Sequence, residues 1–170
     1  MNDPILFKRG MRRLASGVSL VTTIEPGGGP KGFAATSVTA VSAEPTPSLL
    51  VCVNRQVSCH GALHASGVFC VNVLSEHDAA MAQLFSSAEH RERRFLDPRW
   101  ESLSTGSPAF AGALASFDCE ILSTMEVESH TIFVGRAVAI RLWEQEVQPL
   151  LYVDGRFDGI RLPSMPVASA

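Results

Sequence analysis

The β-branched run Val18–Ile24 stops at Pro26-Gly27-Gly28-Gly29-Pro30, and a second extended run opens near Lys31. A stretch made only of proline and glycine propagates neither a helix nor a strand ladder, so it forms a turn. Two β-prone runs joined by so short a turn form an antiparallel hairpin. The same grammar recurs downstream. Phe33–Val41 is rich in Thr, Ser, Val and Ala, Pro45 and Pro47 punctuate, and Leu49–Asn54 is a strand whose continuous apolar character predicts burial on both faces. Val68–Leu74 reads as another buried strand. Further strands are predicted at Ala115–Met125, Thr131–Trp143, Leu150–Val153 and Arg156–Ile160. Strands that follow one another through short turns, with helices only as interruptions, predict a mainly β chain. The expected architecture is an antiparallel barrel, closed or split, with flanking α-helices.

The helical interruptions carry start signals. Asp3-Pro4 supplies a cap and a first-turn proline, with Phe7, Met11 and Leu14 on one face of a helix expected to end near Gly17. Ser58 is expected to cap a short helix through Leu63, and Ser75 with Asp78 opens a helix carrying Met81, Leu84 and Phe85. Residues 86–108 lose periodicity. The charged segment Glu89-His90-Arg91-Glu92-Arg93-Arg94, followed by Pro98, Gly106 and Pro108, predicts a long loop of the kind that covers a site. Residues 1–162 are expected to form one domain and 163–170 a flexible tail.

Composition narrows the function. Fourteen Lys and Arg against seventeen Asp and Glu leave a net charge of -3, which gives no general attraction to nucleic acid or to an anionic membrane. No apolar stretch approaches the ~20 residues of a membrane span, and Met1–Arg13 mixes charges where an export signal has an apolar run. A cytoplasmic protein is expected. Cys52, Cys59, Cys70 and Cys119 form no CxxC pair and read as reduced, mostly buried thiols; a catalytic role for one of them has no local motif behind it. Charged residues make up 18% of the chain, below the roughly 25% usual in soluble proteins, which suggests surface covered by a second subunit or a large ligand.

The glycine run lacks the order and the hydroxyl of a P-loop, and no GxGxxG joins a strand to a helix. His60 and His64 are four apart without the glutamate of HExxH, so no metal site is expected. Two other stretches are more informative. Ala35-Thr36-Ser37-Val38-Thr39 strings hydroxyls along a strand end, where they suit a polar ring edge or a phosphate. Asn54-Arg55-Gln56-Val57-Ser58-Cys59-His60 follows a strand with an amide, a cation and a hydroxyl, a natural anion site. Each taken singly also reads as a turn or a helix cap. Together they suggest one anionic ligand spanning two adjacent strands.

From about Phe7 to about Gly159 the chain also resembles a known family. Leu14-Ala15-Ser16-Gly17-Val18, Val21-Thr22-Thr23 and Gly32-Phe33-Ala34-Ala35-Thr36-Ser37-Val38-Thr39-Ala40-Val41-Ser42 come first. Pro47, Leu49-Leu50-Val51-Cys52-Val53-Asn54, Phe69-Cys70-Val71-Asn72-Val73-Leu74 and Leu84-Phe85-Ser86 follow. Arg94-Phe95, Trp100, Gly106-Ser107-Pro108, Leu114-Ala115-Ser116-Phe117-Asp118-Cys119 and His130-Thr131-Ile132-Phe133-Val134-Gly135 complete the series. In this order the pieces resemble the short-chain flavin reductases, the reductase components of two-component flavin-dependent monooxygenases, which share the FMN-binding split barrel.

The resemblance implies an NAD(P)H:flavin oxidoreductase that takes hydride from NADH or NADPH, passes it to FMN or FAD, and supplies reduced flavin to a separate monooxygenase. It implies a homodimer. By the same resemblance Ala35, Thr36, Ser37 and Val38 lie along the isoalloxazine edge. Cys52 and Val53 are counted among the flavin-binding residues, and the ribityl phosphate is received by Asn54, Arg55, Ser58 and His60. Phe85, Ser86 and Arg94 close over the flavin, and His130 meets the nicotinamide. No residue is assigned as acid or base. Where the family commonly has Gly-Asp-His, this chain has Glu128-Ser129-His130, and Val57-Ser58-Cys59-His60 carries fewer hydroxyls than the family's usual run. Arg91 and Arg93 read equally well as a solvated surface paired with Glu89 and Glu92, and Trp100, Tyr152 and Phe157 as packing residues. Two alternatives stand beside the reductase: a split-barrel flavoprotein that keeps its FMN and reduces another acceptor, and a non-enzymatic flavin-binding module.

Overall fold

The computed structural model describes residues 3–143 and 146–160. In chain order the elements are α1 (Pro4–Met11), β1 (Ser16–Gly17), β2 (Ser19–Ile24), β3 (Pro30–Ala35), β4 (Val38–Ser42), β5 (Ser48–Asn54), α2 (His60–Ser66) and β6 (Val68–Val73). There follow α3 (Ala79–Ser86), β7 (Trp100–Ser102), β8 (Pro108–Phe110), β9 (Ala115–Val127), β10 (His130–Leu142), β11 (Leu150–Val153) and β12 (Arg156–Gly159). Seven strands form one antiparallel sheet in the order β3-β2-β6-β9-β10-β5-β4. Its edge strands, β3 and β4, are consecutive in the chain and joined only by Thr36 and Ser37. So short a link brings both edges together at that end and rolls the sheet into a barrel. No ladder joins β3 to β4, so the barrel is split there.

The interior follows from strand alternation. Val21, Ala35, Leu49, Val51, Val53, Phe69, Val71, Cys119 and Phe133 point inward, Val38 packs against them from β4, and Leu63 of α2 closes the cluster. Residues of opposite parity face a second core outside the barrel, where Val18, Leu20 and Leu74 meet Ala82 and Phe85 of α3 and Phe110 of β8. Strand β2 is therefore covered on both faces, and its buried hydroxyls need partners. Thr22 Oγ1 donates to the Pro108 carbonyl at 2.5 Å. Asn72, fully buried on β6, donates to the Leu20 carbonyl and accepts from Phe110 N at 2.8 Å and Ser116 Oγ at 2.7 Å. That network ties β8 to the barrel wall.

Several boundaries differ from expectation. The first helix stops at Met11, well before Gly17, because Ser16 and Gly17 pair with Tyr152 and Leu151 as β1. A ladder partner so distant in sequence is invisible to local periodicity. Phe33–Val41 breaks at Thr36-Ser37, where the chain crosses from one sheet edge to the other. Strand β5 is buried on one face only, since Leu50, Cys52 and Asn54 keep partial exposure. Helix α2 starts at His60 behind Cys59 and lacks a side-chain cap, so Ser58 does not cap it. Within 86–108 the chain forms a single 3-10 turn, Arg91–Arg93, and the β7–β8 hairpin. The expected tail at 163–170 lies outside the described residues. No helix among the described residues is long and apolar enough to cross a membrane.

Candidate functional site

Two chambers open along β3 and the C-terminal end of α3. The first, about 450 Å³, has Val18, Ala34 and Ala35 on its floor, with the Thr36 hydroxyl and the Gln83 amide as polar groups. Tyr152 and Phe157, ring centroids 5.4 Å apart on the β11–β12 hairpin, form its far wall. The second, about 380 Å³, runs from Gly32 and Phe33 to the turn after β5, and its walls include Asn54, Ser58, Phe85, Arg91 and Arg94. Ala34, Ser86 and Ser87 belong to both, so the chambers form one trough. Both volumes fall in the roughly 300–1,000 Å³ range of small-molecule sites.

The turn after β5 is locally specified. Asn54 Oδ1 accepts from Gln56 N at 2.9 Å and the Asn54 carbonyl accepts from Val57 N at 3.1 Å, which turns residues 56–59 toward the trough. Opposite stands Arg94, only 6% exposed. Its guanidinium donates to the carbonyls of Leu84 at 3.2 Å, Gly32 at 2.8 Å and Ser87. It thereby fastens the loop after α3 to β3. Burial, and next the nearby Arg91 charge, pull its pKa below the ordinary arginine value, and the group stays cationic. Neither Arg94 nor Arg91 has a carboxylate within 4.0 Å among the described residues. A buried cation without a counter-charge is costly, so this wall favours an anion.

Packing holds the loop in place. Phe85, Phe95, Trp100 and Phe110 stack in series with centroid separations of 5.3, 5.0 and 4.9 Å, and Trp100 Nε1 donates to the Arg94 carbonyl at 3.0 Å. Gly32 is required beneath them. A Cβ there would lie 2.9 Å from the Val21 carbonyl oxygen and 3.0 Å from Phe85 Cε1. The arrangement suits a flat ring with one polar edge in the first chamber and an anionic group in the second.

Of the residues selected from sequence, Ala35, Thr36, Asn54, Ser58, Phe85, Ser86 and Arg94 line the trough. Ser37 instead donates to the Cys52 carbonyl at 2.9 Å and ties the β3–β4 link to β5. Val38 packs against the barrel core and Val53 is wholly buried within it, and neither lines a chamber. Cys52 lies between them on β5 and lines neither chamber. Arg55 turns away from the trough: its guanidinium donates to the Glu128 carbonyl and pairs with Glu126 at 3.6 Å. His60 also turns away, to Thr131 Oγ1 at 2.9 Å. These two are drawn off by the β9–β10 turn, whose contact with β5 depends on tertiary register.

That turn holds Glu128 at φ 49°, a left-handed conformation that favours glycine, and so makes the departure from Gly-Asp-His structurally costly. His130 is exposed, sits opposite Asn54 in the β10–β5 register, and shares a 2.9 Å hydrogen bond between Nδ1 and Ser129 Oγ. Gln83, Ser87, Arg91, Tyr152 and Phe157 line the trough without having been selected. Tyr152 and Phe157 gave no local signal, and Arg91 was masked by acidic neighbours. Cys59 also lines the second chamber, but burial pushes its thiol up to about 11, so it is no thiolate nucleophile at neutral pH.

Comparison with known proteins agrees with this geometry. A curated relative from Variovorax paradoxus (strain S110), an FMN reductase (NADH) RutF, is 38% identical over 92% of this chain and 86% of its own length. BorF, the flavin reductase component of a bacterial two-component tryptophan halogenase, superposes with a TM-score of 0.84 at 32% identity, covering 95% of this chain and all of its own. The styrene monooxygenase flavin reductase SMOB from Pseudomonas putida S12 gives 0.82 at 29% identity, covering 93% and 99%. The flavin reductase like domain model matches residues 11–161, and the chain belongs to that family.

Proposed function

We propose that this chain is an NADH-dependent flavin reductase that acts on FMN and releases reduced flavin to a separate oxygenase. The observation that carries the reading is the trough itself, whose apolar first chamber leads to a second walled by the buried Arg94, which has no paired carboxylate among the described residues. FMN is a flat ring with one polar edge and a terminal phosphate, and the residues present fit both ends. The names of the relatives support the acceptor and the donor, and those of the structural neighbours support the delivery step.

The bound partners supply the redox chemistry: a hydride leaves the dihydronicotinamide and is accepted at flavin N5. The protein contributes position and electrostatics. Thr36 presents a hydroxyl at the ring edge that gains negative charge, Ser58 and Arg91 receive the phosphate with Arg94 behind them, and Tyr152 and Phe157 exclude water from the ring. His130, held by Ser129 beside Asn54, meets the nicotinamide on the open side. The protein acts in the cytoplasm as a homodimer.

Anaerobic mixing with NADH and excess FMN tests this. Bleaching of the flavin absorbance over many turnovers is expected. Tight FMN binding with no bleaching would leave a binding module, and a single turnover with retained flavin would indicate a flavoprotein with another acceptor.

A further inference from the structure

At the other end of α3 from the trough, a separate cavity of about 410 Å³ opens between the β6–α3 connection, the β8–β9 turn and the segment before β11. It shares no lining residue with either chamber. Its volume also falls in the roughly 300–1,000 Å³ range of small-molecule sites. Ala111 and Leu114 give it apolar surface, and its charged and titratable groups are Asp78, Arg99, His77 and Glu146.

Asp78 is the centre of this cavity. It stands just before α3, where an aspartate ordinarily caps the helix, yet its side chain makes no capping hydrogen bond. The carboxylate turns instead to Arg99, whose Nη1 donates to Oδ1 at 3.3 Å, and the side chain is only 7% exposed. Among the described residues no buried side-chain oxygen or nitrogen lacks a hydrogen-bond partner. Oδ2 accepts no such bond, so it reaches open space, and the open space at Asp78 is this cavity. Arg99 does not balance the charge alone. Its Nε and Nη2 donate to Asp97 at 3.0 and 2.9 Å, and its guanidinium is held over the Phe110 ring at 4.5 Å. One guanidinium thus answers two carboxylates, and Glu146 on the same wall has no cation within 4.0 Å among the described residues. Burial pushes the Asp78 carboxyl above its ordinary value in spite of Arg99, as expected of an under-compensated anion.

We propose that this cavity binds a small organic cation, an aliphatic amine or guanidine, whose charged group sits against Asp78 Oδ2 with Glu146 as a second acceptor. Among the described residues no three His, Cys, Asp or Glu side chains are placed to hold a metal ion, which favours an organic cation over an inorganic one. An ammonium or guanidinium brings both the donors and the charge that the free oxygen lacks, and its alkyl chain rests on Ala111 and Leu114. The site stands apart from the flavin trough and does not depend on what the trough binds.

Isothermal titration calorimetry of the full chain tests this, with butylamine and agmatine as cations, 1-butanol as the neutral control and magnesium chloride as the inorganic one. Saturable binding of one or both organic cations, and of neither control, is expected. Asp78→Asn keeps the shape and removes the charge, so Kd for the cation should rise about 10-fold or more. Glu146→Gln, at an exposed position, should raise it about 2- to 5-fold. Circular dichroism spectra and Tm matching the wild type certify that the variants are folded, and should Asp78→Asn not fold, the Glu146→Gln titration decides. Absence of saturable binding of either organic cation overturns the site. So do equal affinities in the wild type and the folded variants, and binding of butanol or magnesium as tight as that of the organic cations.

Discussion

Arg94 and His130 divide the proposed reaction between them, and their exposures explain why they should fail differently. Arg94 is enclosed, fastens three carbonyls and has no carboxylate within 4.0 Å among the described residues. Replacing it with methionine keeps the volume and removes the charge, so Kd for FMN should rise about 10- to 100-fold. Arg94→Lys should recover part of the affinity, because the charge returns without the planar fork. His130 is exposed at the start of β10, and its side chain shares a hydrogen bond with Ser129. In His130→Ala the KM for NADH should rise while Kd for FMN stays put. Fluorescence titration and steady-state kinetics on both variants check the pair. Identical effects on flavin and nicotinamide would contradict the division. At this scale the sequence was partly legible. Thr36 and Asn54 stand at strand ends, Ser58 in the turn after β5 and Arg94 in the loop after α3, and all four can be picked out, whereas Arg55 and His60 have the same chemistry and local context. Only the register of β10 against β5 turns those two toward Glu128 and Thr131.

Strand β10 carries the barrel through a register shift between Val134 and Gly135, and Gly135 lies against the interior at that shift. A Cβ on Gly135 would fall 2.5 Å from Phe69 Cζ and 3.0 Å from the Cys119 Cβ, inside a core with no room to yield. Gly135→Ala should therefore cost about 2–3 kcal/mol by overpacking and lower Tm by roughly 5–10 °C. The contrasting substitution is Gly61→Ala on the exposed face of α2, where an added Cβ meets nothing within 4 Å. It should leave Tm unchanged or raise it slightly, since alanine favours helix. Thermal unfolding followed by circular dichroism distinguishes them, and equal Tm values for both would refute the packing argument. Most elements were readable from pattern, because turn residues and β-branched runs act locally. The first helix ends before its pattern does because β1 exists only by pairing with β11, and β5 keeps one face partly open because an apolar run does not say which layer covers it.

The folded chain exposes apolar side chains on β9 and β10, Leu122 and Met125 toward the hairpin turn and Ile140 and Leu142 toward its open end, and Ile5, Leu6 and Phe7 on α1, none of whose residues is buried. The pair Ile140 and Leu142 on one stretch of β10 and the exposed side of α1 are the surfaces that a second copy would cover in the proposed homodimer. They agree with the low charged fraction of 18%. The proposed homodimer should elute from size exclusion at twice the chain mass, and Leu142→Glu or Ile140→Glu should shift it toward the monomer. A wild type that elutes as a monomer at micromolar concentration would oppose the proposal. What the sequence by itself determined was the strand order along the chain, the antiparallel character and the hydroxyl-rich stretch Ala35–Thr39, since turn chemistry and alternation are local. The tertiary structure alone decided that this stretch breaks at Thr36-Ser37 to close a barrel, that Tyr152 and Phe157 return to wall the trough, and that Arg94 is buried with no counter-charge among the described residues. Each of those depends on segments distant in the chain meeting in space, and no local periodicity encodes such a meeting.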